Sequence, residues 1–126
     1  MPSVEICIDV PNIEVGARFY IEALGFDRET SPVANVAVLS ADNLRVCLLQ
    51  RAEGSQPSPS AEHPRSYRRH WTPVHLDVVV PDIERALERA VEAGATLESE
   101  IETDEHGSWV SCADPFGHGF CFICPR

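Results

Sequence analysis

The chain repeats itself, and that repetition restricts its possible folds more than any other feature. Val74-His75-Leu76-Asp77-Val78-Val79-Val80-Pro81-Asp82-Ile83-Glu84 restates Val4-Glu5-Ile6-Cys7-Ile8-Asp9-Val10-Pro11-Asn12-Ile13-Glu14. Pro81 matches Pro11, and Asp82 matches Asn12. Each copy reads as an alternating strand that runs straight into a short polar residue placed to cap a helix. A duplicated unit of this kind must bury two equivalent apolar faces, and it can do so by packing its copies around an internal pseudo-twofold axis.

The first copy extends predictably. Val4, Ile6, Ile8 and Val10 share one strand face, while Glu5, Cys7 and Asp9 share the other. The apolar face is the one a following helix would rest on. That helix is expected over residues 13–24, burying Ile13, Ala17, Tyr20 and Leu24 and stopping at Gly25. Strands follow over 26–30, 36–41 and 44–50, the last two joined at Asp42-Asn43. The second copy begins at Thr72. Its helix, residues 83–93, places Ile83, Ala86, Leu87, Ala90 and Val91 on one stripe and ends at Gly94. Strands are expected over 96–102, 108–113 and 119–124, with Asp114-Pro115-Phe116-Gly117 as the turn between the last two. Each half is therefore β-α-β-β-β. The fold class is α+β: two tandem βαβββ modules forming a curved mixed sheet around a cleft, with the helices on the outer face.

Module one occupies about 1–51 and module two about 72–126. Between them, residues 52–71 hold Gly54, Pro57, Pro59, Pro64 and several serines, and neither structural period survives there. Arg65, Arg68, Arg69 and His70 make its second part basic. Two readings stand: a solvated connection, or a flap that carries cationic groups over the cleft.

With 126 residues the chain suffices for one domain with a real core. A net charge of −10, without a single lysine, argues against nucleic acid or an anionic membrane as partner. No apolar run has membrane length, and Met1-Pro2-Ser3-Val4-Glu5 lacks the features of a secretory leader, so a cytoplasmic location is expected. Five cysteines, an odd number lying mostly in strand-like runs, fit reduced thiols better than a disulfide framework.

The order of the motifs carries a resemblance. A capped helix ends in Leu24-Gly25-Phe26, then come Val74-His75-Leu76-Asp77, an Ala93-Gly94-Ala95-Thr96 helix end and a terminal Ala113-Asp114-Pro115-Phe116-Gly117 turn. This is similar to the glyoxalase / bleomycin-resistance / extradiol-dioxygenase group, the vicinal oxygen chelate superfamily, and in particular to its glyoxalase-like branch. The resemblance covers the whole chain apart from the connection. It implies paired modules around a cleft and, in the metalloenzymes, one histidine, glutamine or glutamate ligand from the first and last strand of each module. Carried over by position, those places fall on Glu5 and His75 in the first strands and on Cys47 and Cys121 in the last. Cysteine stands where the metalloenzymes place a carboxylate, so the oxygen- and nitrogen-rich octahedral site suited to iron, manganese or nickel is not present as such. No metal or other cofactor is expected. Were a metal held, Glu5, Cys47, His75 and Cys121 would favour zinc in a closed tetrahedron, the pattern of a structural site.

Each candidate residue has a plainer role to set beside this one. Cys121 and Cys124 imitate a C-x-x-C motif, yet residues three apart on a strand face opposite sides, so packed thiols are the default. His75 is either a hydrogen-bonded interior histidine or a functional one. Glu5, Asp9 and Asp77 are either solvated residues on an open sheet face or groups engaged with a ligand. Trp109 is core or cleft wall. No serine–histidine–aspartate arrangement, phosphate loop or dinucleotide motif is visible.

Three functions compete. The first is a small-molecule binder of the bleomycin-resistance type that needs no metal, with Asp9, Asp77, Cys47, Trp109 and Cys121 lining the site. The second is a glyoxalase-like lyase or isomerase, in which a divalent metal polarises substrate oxygens or His75 and Glu5 act as acid and base. The third is a domain whose role lies in homodimer formation. For the first, the acidic residues predict a negative cleft floor that favours cationic or neutral amphipathic ligands, with Arg45 offsetting part of the charge. Trp109, Leu49 and Ile123 would supply the apolar walls.

Overall fold

The structure is a computed structural model describing residues 1–126. Two helices and nine strands form two mixed sheets, one for each copy of the repeat. By packing, the chain divides into a unit of Met1–Ile21 with Gly25–Tyr67 and a unit of Glu22–Leu24 with Arg68–Arg126.

In the first unit, β1 (Glu5–Val10), β2 (Asp27–Glu29), β3 (Val36–Ser40) and β4 (Arg45–Gln50) are ordered β1-β4-β3-β2. β1 runs parallel to β4, whereas β4, β3 and β2 are antiparallel. α1 (Ile13–Leu24) starts because the Asn12 side chain accepts from the backbone N–H groups of Glu14 and Val15, each at 3.0 Å. It stops because Gly25 takes φ 76°, where its N–H and that of Phe26 reach the last-turn carbonyls of Ile21 and Tyr20. Its buried stripe differs from the expected one. Gly16, Ala17, Phe19, Tyr20 and Ala23 are buried, while Ile13 and Leu24 are only half-buried. Gly16 explains the turn of the helix: a methyl there would sit 3.1 Å from Val10, so α1 approaches β1 at its one residue without a side chain.

In the second unit the strands are β5 (Leu76–Val79), β6 (Thr96–Leu97), β7 (Glu102–Asp104), β8 (Gly107–Ala113) and β9 (Gly119–Pro125). Their order, β5-β9-β8-β6, with β5 parallel to β9, repeats the pattern of the first sheet; β7 pairs with β8 beyond it. α2 (Ile83–Glu92) is capped by Asp82, whose carboxylate accepts from the N–H of Arg85. It packs on β8 and β9. Val91, expected on its buried stripe, is exposed; Ile83 and Ala90 are the buried positions.

The strand expected over 96–102 is two pieces. Leu97 pairs with Cys112 and the Glu98 N–H reaches Ser111 O, but the next paired residue is Glu102, opposite Trp109. The intervening bulge forms because Ser99 Oγ accepts from the Ser111 N–H, standing in for a ladder carbonyl. The turn at Asp114 forms as expected, with its buried carboxylate accepting from the N–H groups of Phe116 and His118.

The cores follow the parity of the strands. Val10, Val46, Leu48, Ala37 and Leu39 are buried in the first unit, and Val110, Cys112, Phe120 and Phe122 in the second. The opposite, more exposed face of each sheet is where the candidate residues lie.

Candidate functional site

Pairing on the first sheet sets Glu5 opposite Arg45, Cys7 opposite Cys47 and Asp9 opposite Leu49, all on the exposed face. Glu5 is engaged twice. Arg45 Nη1 lies 3.2 Å from Glu5 Oε1, and Cys47 Sγ donates to Glu5 Oε2 at 3.6 Å. Arg45 also reaches Glu29 at 3.5 Å. Burial, and next the charge of Glu5, push the Cys47 thiol up from its ordinary range, so it is a neutral thiol at neutral pH.

Asp9 meets the connection. Arg65 Nε lies 2.8 Å from Asp9 Oδ2, with the guanidinium side chain only 16% exposed. The loop carrying Arg65 is closely bonded to itself. Its N–H reaches Ser55 O, its carbonyl accepts from Gly54 N–H, and Tyr67 Oη donates to Arg51 O at 2.7 Å. This part of the connection is thus neither a free tether nor an unattached flap: it is an ordered loop tied to β1 by the Arg65–Asp9 ion pair and the Arg51 N–H to Val10 O hydrogen bond.

The second sheet carries the other half of the candidates. Asp77, Cys121 and Ser111 form one row across β5, β9 and β8, and Glu98 extends it through its N–H to Ser111 O. His75 precedes β5, with Nε2 3.1 Å from Asp77 Oδ1, and its ring lies 5.8 Å from that of the exposed Trp71. Cys121 Sγ is 3.7 Å from Ser111 Oγ. Burial raises the Cys121 thiol, the Ser111 hydrogen bond opposes that, and the Asp77 carboxylate adds to it. His75, Asp77 and Cys121 place one nitrogen, one oxygen and one sulfur within 4.8 Å of one another.

Of the four positions that would hold a metal were one bound, Glu5 and Cys47 share the first unit, and His75 and Cys121 the second. The structure adds Asp77 to the second pair, a residue the sequence placed on the binding face without a ligand role. Nitrogen, oxygen and thiolate donors suit zinc, and three of them leave a fourth position open. Such binding would require Cys121 to give up its proton.

Trp109 lies one rung further, opposite Ile123 and Glu102. With Ile123, His106 and Pro125 it lines a concavity of about 310 Å³ that contains none of His75, Asp77 or Cys121. Cys121 and Cys124 face opposite sides of β9, and Cys124 Sγ donates to Pro81 O. All five cysteines are free thiols.

Two contributors stand outside the expected set of site residues, although Arg69 was among the cations of the connection. Arg69 pairs bidentately with Glu98 at 2.8 and 2.9 Å, and a methyl on Gly119 would stand 2.5 Å from Arg69 Nη2. Gly119 thus leaves room for a guanidinium on the same face, much as Arg45 supplies one from β4 in the first sheet. Ser111 was the other, since only the β8–β9 register brings its hydroxyl to Cys121.

The order β1-β4-β3-β2 repeated as β5-β9-β8-β6 is the duplicated βαβββ arrangement, and the family profile described as "Glyoxalase-like domain" matches residues 5–123. The chain belongs to the glyoxalase-like domain family. Solved structures with the same fold include glyoxalase-related and glyoxalase/bleomycin resistance protein/dioxygenase family proteins. A hypothetical protein, SA1046, from S. aureus superposes with a TM-score of 0.78 at 20% identity, covering 98% of this chain and 94% of that one. A glyoxalase-related enzyme from Fulvimarina pelagi gives 0.73 at 19% identity, covering 98% and 88%. A glyoxalase/bleomycin resistance protein/dioxygenase family enzyme from Burkholderia phytofirmans PsJN gives 0.71 at 16% identity, covering 97% of each chain. At these identities the likeness concerns the fold. No curated protein matches the sequence. Within this glyoxalase-like domain no helix is long and apolar enough to cross a membrane.

Proposed function

We propose that this glyoxalase-like domain binds a neutral or cationic amphipathic small molecule on the exposed face of its second sheet, without a catalytic metal. The carrying observation is the composition of that face. A short polar row, Asp77, Cys121 and Ser111 with His75 beside it, is flanked by Trp71, exposed at 71%, and Val79, exposed at 66%, while Ile123 occupies the rung next to Cys121. Mostly apolar walls with a few convergent polar groups are what small-molecule sites are made of. Burial of the apolar part of a ligand would supply most of the affinity, at roughly 25 cal/mol per Å² removed from water. The polar row would orient it.

The pairing of the acids narrows the ligand class. Glu98 beside this row is paired with the Arg69 guanidinium, so Asp77, 3.1 Å from the His75 imidazole, is the one acid of the expected negative floor on this sheet. Neutral compounds should therefore bind about as well as cations, with weak salt dependence. A thermal-shift panel of matched cationic, neutral and anionic aromatic compounds at low and high salt tests this. Saturation at about 100 Kd stabilises by roughly 2.7 kcal/mol, and Trp71→Ala should abolish the shift. If anions stabilise best and Arg69→Ala removes their effect, the reading is wrong.

The His75, Asp77 and Cys121 cluster favours a second reading, a zinc-dependent lyase or isomerase. Zinc there would polarise a substrate oxygen. His75, Asp77 and Cys121 would hold it, and Ser111 would orient the Cys121 sulfur. One equivalent of zinc in protein purified without a histidine tag, lost on Cys121→Ala, would decide for this reading against the first.

A further inference from the structure

Cys7 and Cys47 are directly opposed on the parallel strands β1 and β4, with both side chains on the exposed face. They are the one cross-strand cysteine pair in the protein. Cys112 is opposite Phe120, Cys121 opposite Asp77 and Ser111, and Cys124 opposite Ser108. Neighbouring strands stand about 4.8 Å apart, inside the window of about 4.4–6.8 Å between Cα atoms that a disulfide can span. We propose that Cys7 and Cys47 form a reversible oxidation site, closing a cross-strand disulfide when the protein meets a peroxide. This inference is independent of the ligand proposed for the second sheet.

Exposure and hydrogen bonding order the two steps. Cys7 is exposed, so it meets the oxidant first. Its sulfur attacks one peroxide oxygen and the O–O bond breaks. The departing oxygen takes up a proton and leaves as water, and Cys7 becomes a sulfenic acid. Cys47 is half-buried and its thiol is engaged with Glu5 Oε2, which suits the resolving partner rather than the first to react. Its sulfur then attacks the sulfenic sulfur. The S–S bond forms, the S–O bond breaks, and hydroxide leaves as water with the Cys47 proton. Two thiols are oxidised, one peroxide is reduced, and two waters are released. A dithiol reductant reverses the exchange.

The consequence falls on Glu5. Its Oε2 accepts from Cys47 Sγ in the reduced protein, and the disulfide removes that donor. Glu5 keeps only its ion pair with Arg45 on this face. The oxidation state of the pair therefore changes the hydrogen bonding of the polar group at the start of β1.

Intact mass and non-reducing peptide mapping of the full chain, titrated with hydrogen peroxide, test the proposal. The expected result is loss of two hydrogens per chain, one linked peptide joining Cys7 to Cys47, and full reversal by dithiothreitol. Cys7→Ser and Cys47→Ser should each abolish the linked peptide, and Cys121→Ser should leave it unchanged. A first bridge between any other two cysteines, a dimer linked through Cys7, or accumulation of Cys7 sulfinic acid without a bridge would overturn it.

Discussion

Cys112 shows how far a single side chain can couple to the solvent. It is buried at 1% exposure between β9 and β6, and burial pushes its thiol up to about 11 from 9.0. The folded state keeps the proton after the unfolded chain has released it. Stability from this group is therefore fully present below about pH 9 and is lost as pH rises through 11. A shift of this size corresponds to roughly 3 kcal/mol. Denaturant titrations between pH 8 and pH 11 should show wild type weakening more steeply than Cys112→Ala, whose constant cavity penalty offsets the curve without tilting it. Parallel slopes would mean that the site opens to water. The same scale contains the part of the site that was legible. Alternation alone put Glu5, Cys7 and Asp9 on one face and the Asp77 face opposite the core. It could not pair them with Arg45, Arg65 and His75, because side-chain reach depends on register and loop path.

At the scale of elements, the two helices rest on their caps. Asn12 accepts from two N–H groups at α1, and Asp82 from one at α2, which it also favours by its charge at the positive end of the helix dipole. Asn12→Ala should cost about 1 kcal/mol in chemical denaturation, because the buried packing of α1 depends on its entry angle. Asn12→Asp should restore most of the loss. Both caps were readable from sequence, since a short polar residue after an apolar strand serves no other purpose so well. The break in the strand expected over 96–102 was not readable. Thr96 to Glu102 has strand-like alternation, and only the Ser99 hydroxyl reaching the Ser111 N–H diverts the chain. Nothing local distinguishes a serine that bonds across a sheet from one that faces solvent.

For the whole molecule, the repeat makes a prediction of its own. Leu48 lies opposite Ile8, and Phe122 opposite Val78, which are matching positions of the two copies; both are fully buried at sheet centres. Leu48→Ala and Phe122→Ala should each cost about 3 kcal/mol, measured by urea denaturation, because each leaves a cavity its sheet cannot close. A large difference between them would show that the copies have ceased to share the work of stability. The sequence by itself determined the duplication, the β-α-β-β-β order, the helix ends and the strand face that Glu5, Cys7 and Asp9 share. These depend on periods of two and 3.6 residues and on local turn chemistry, and such signals survive in a linear string. Tertiary structure alone decided that Asp77 joins His75 and Cys121, that Arg65 settles on Asp9, that Gly119 admits Arg69, and that Cys7 faces Cys47. Each of these joins residues from separate segments, and only pairing register and the route of a loop bring such groups within a few ångströms.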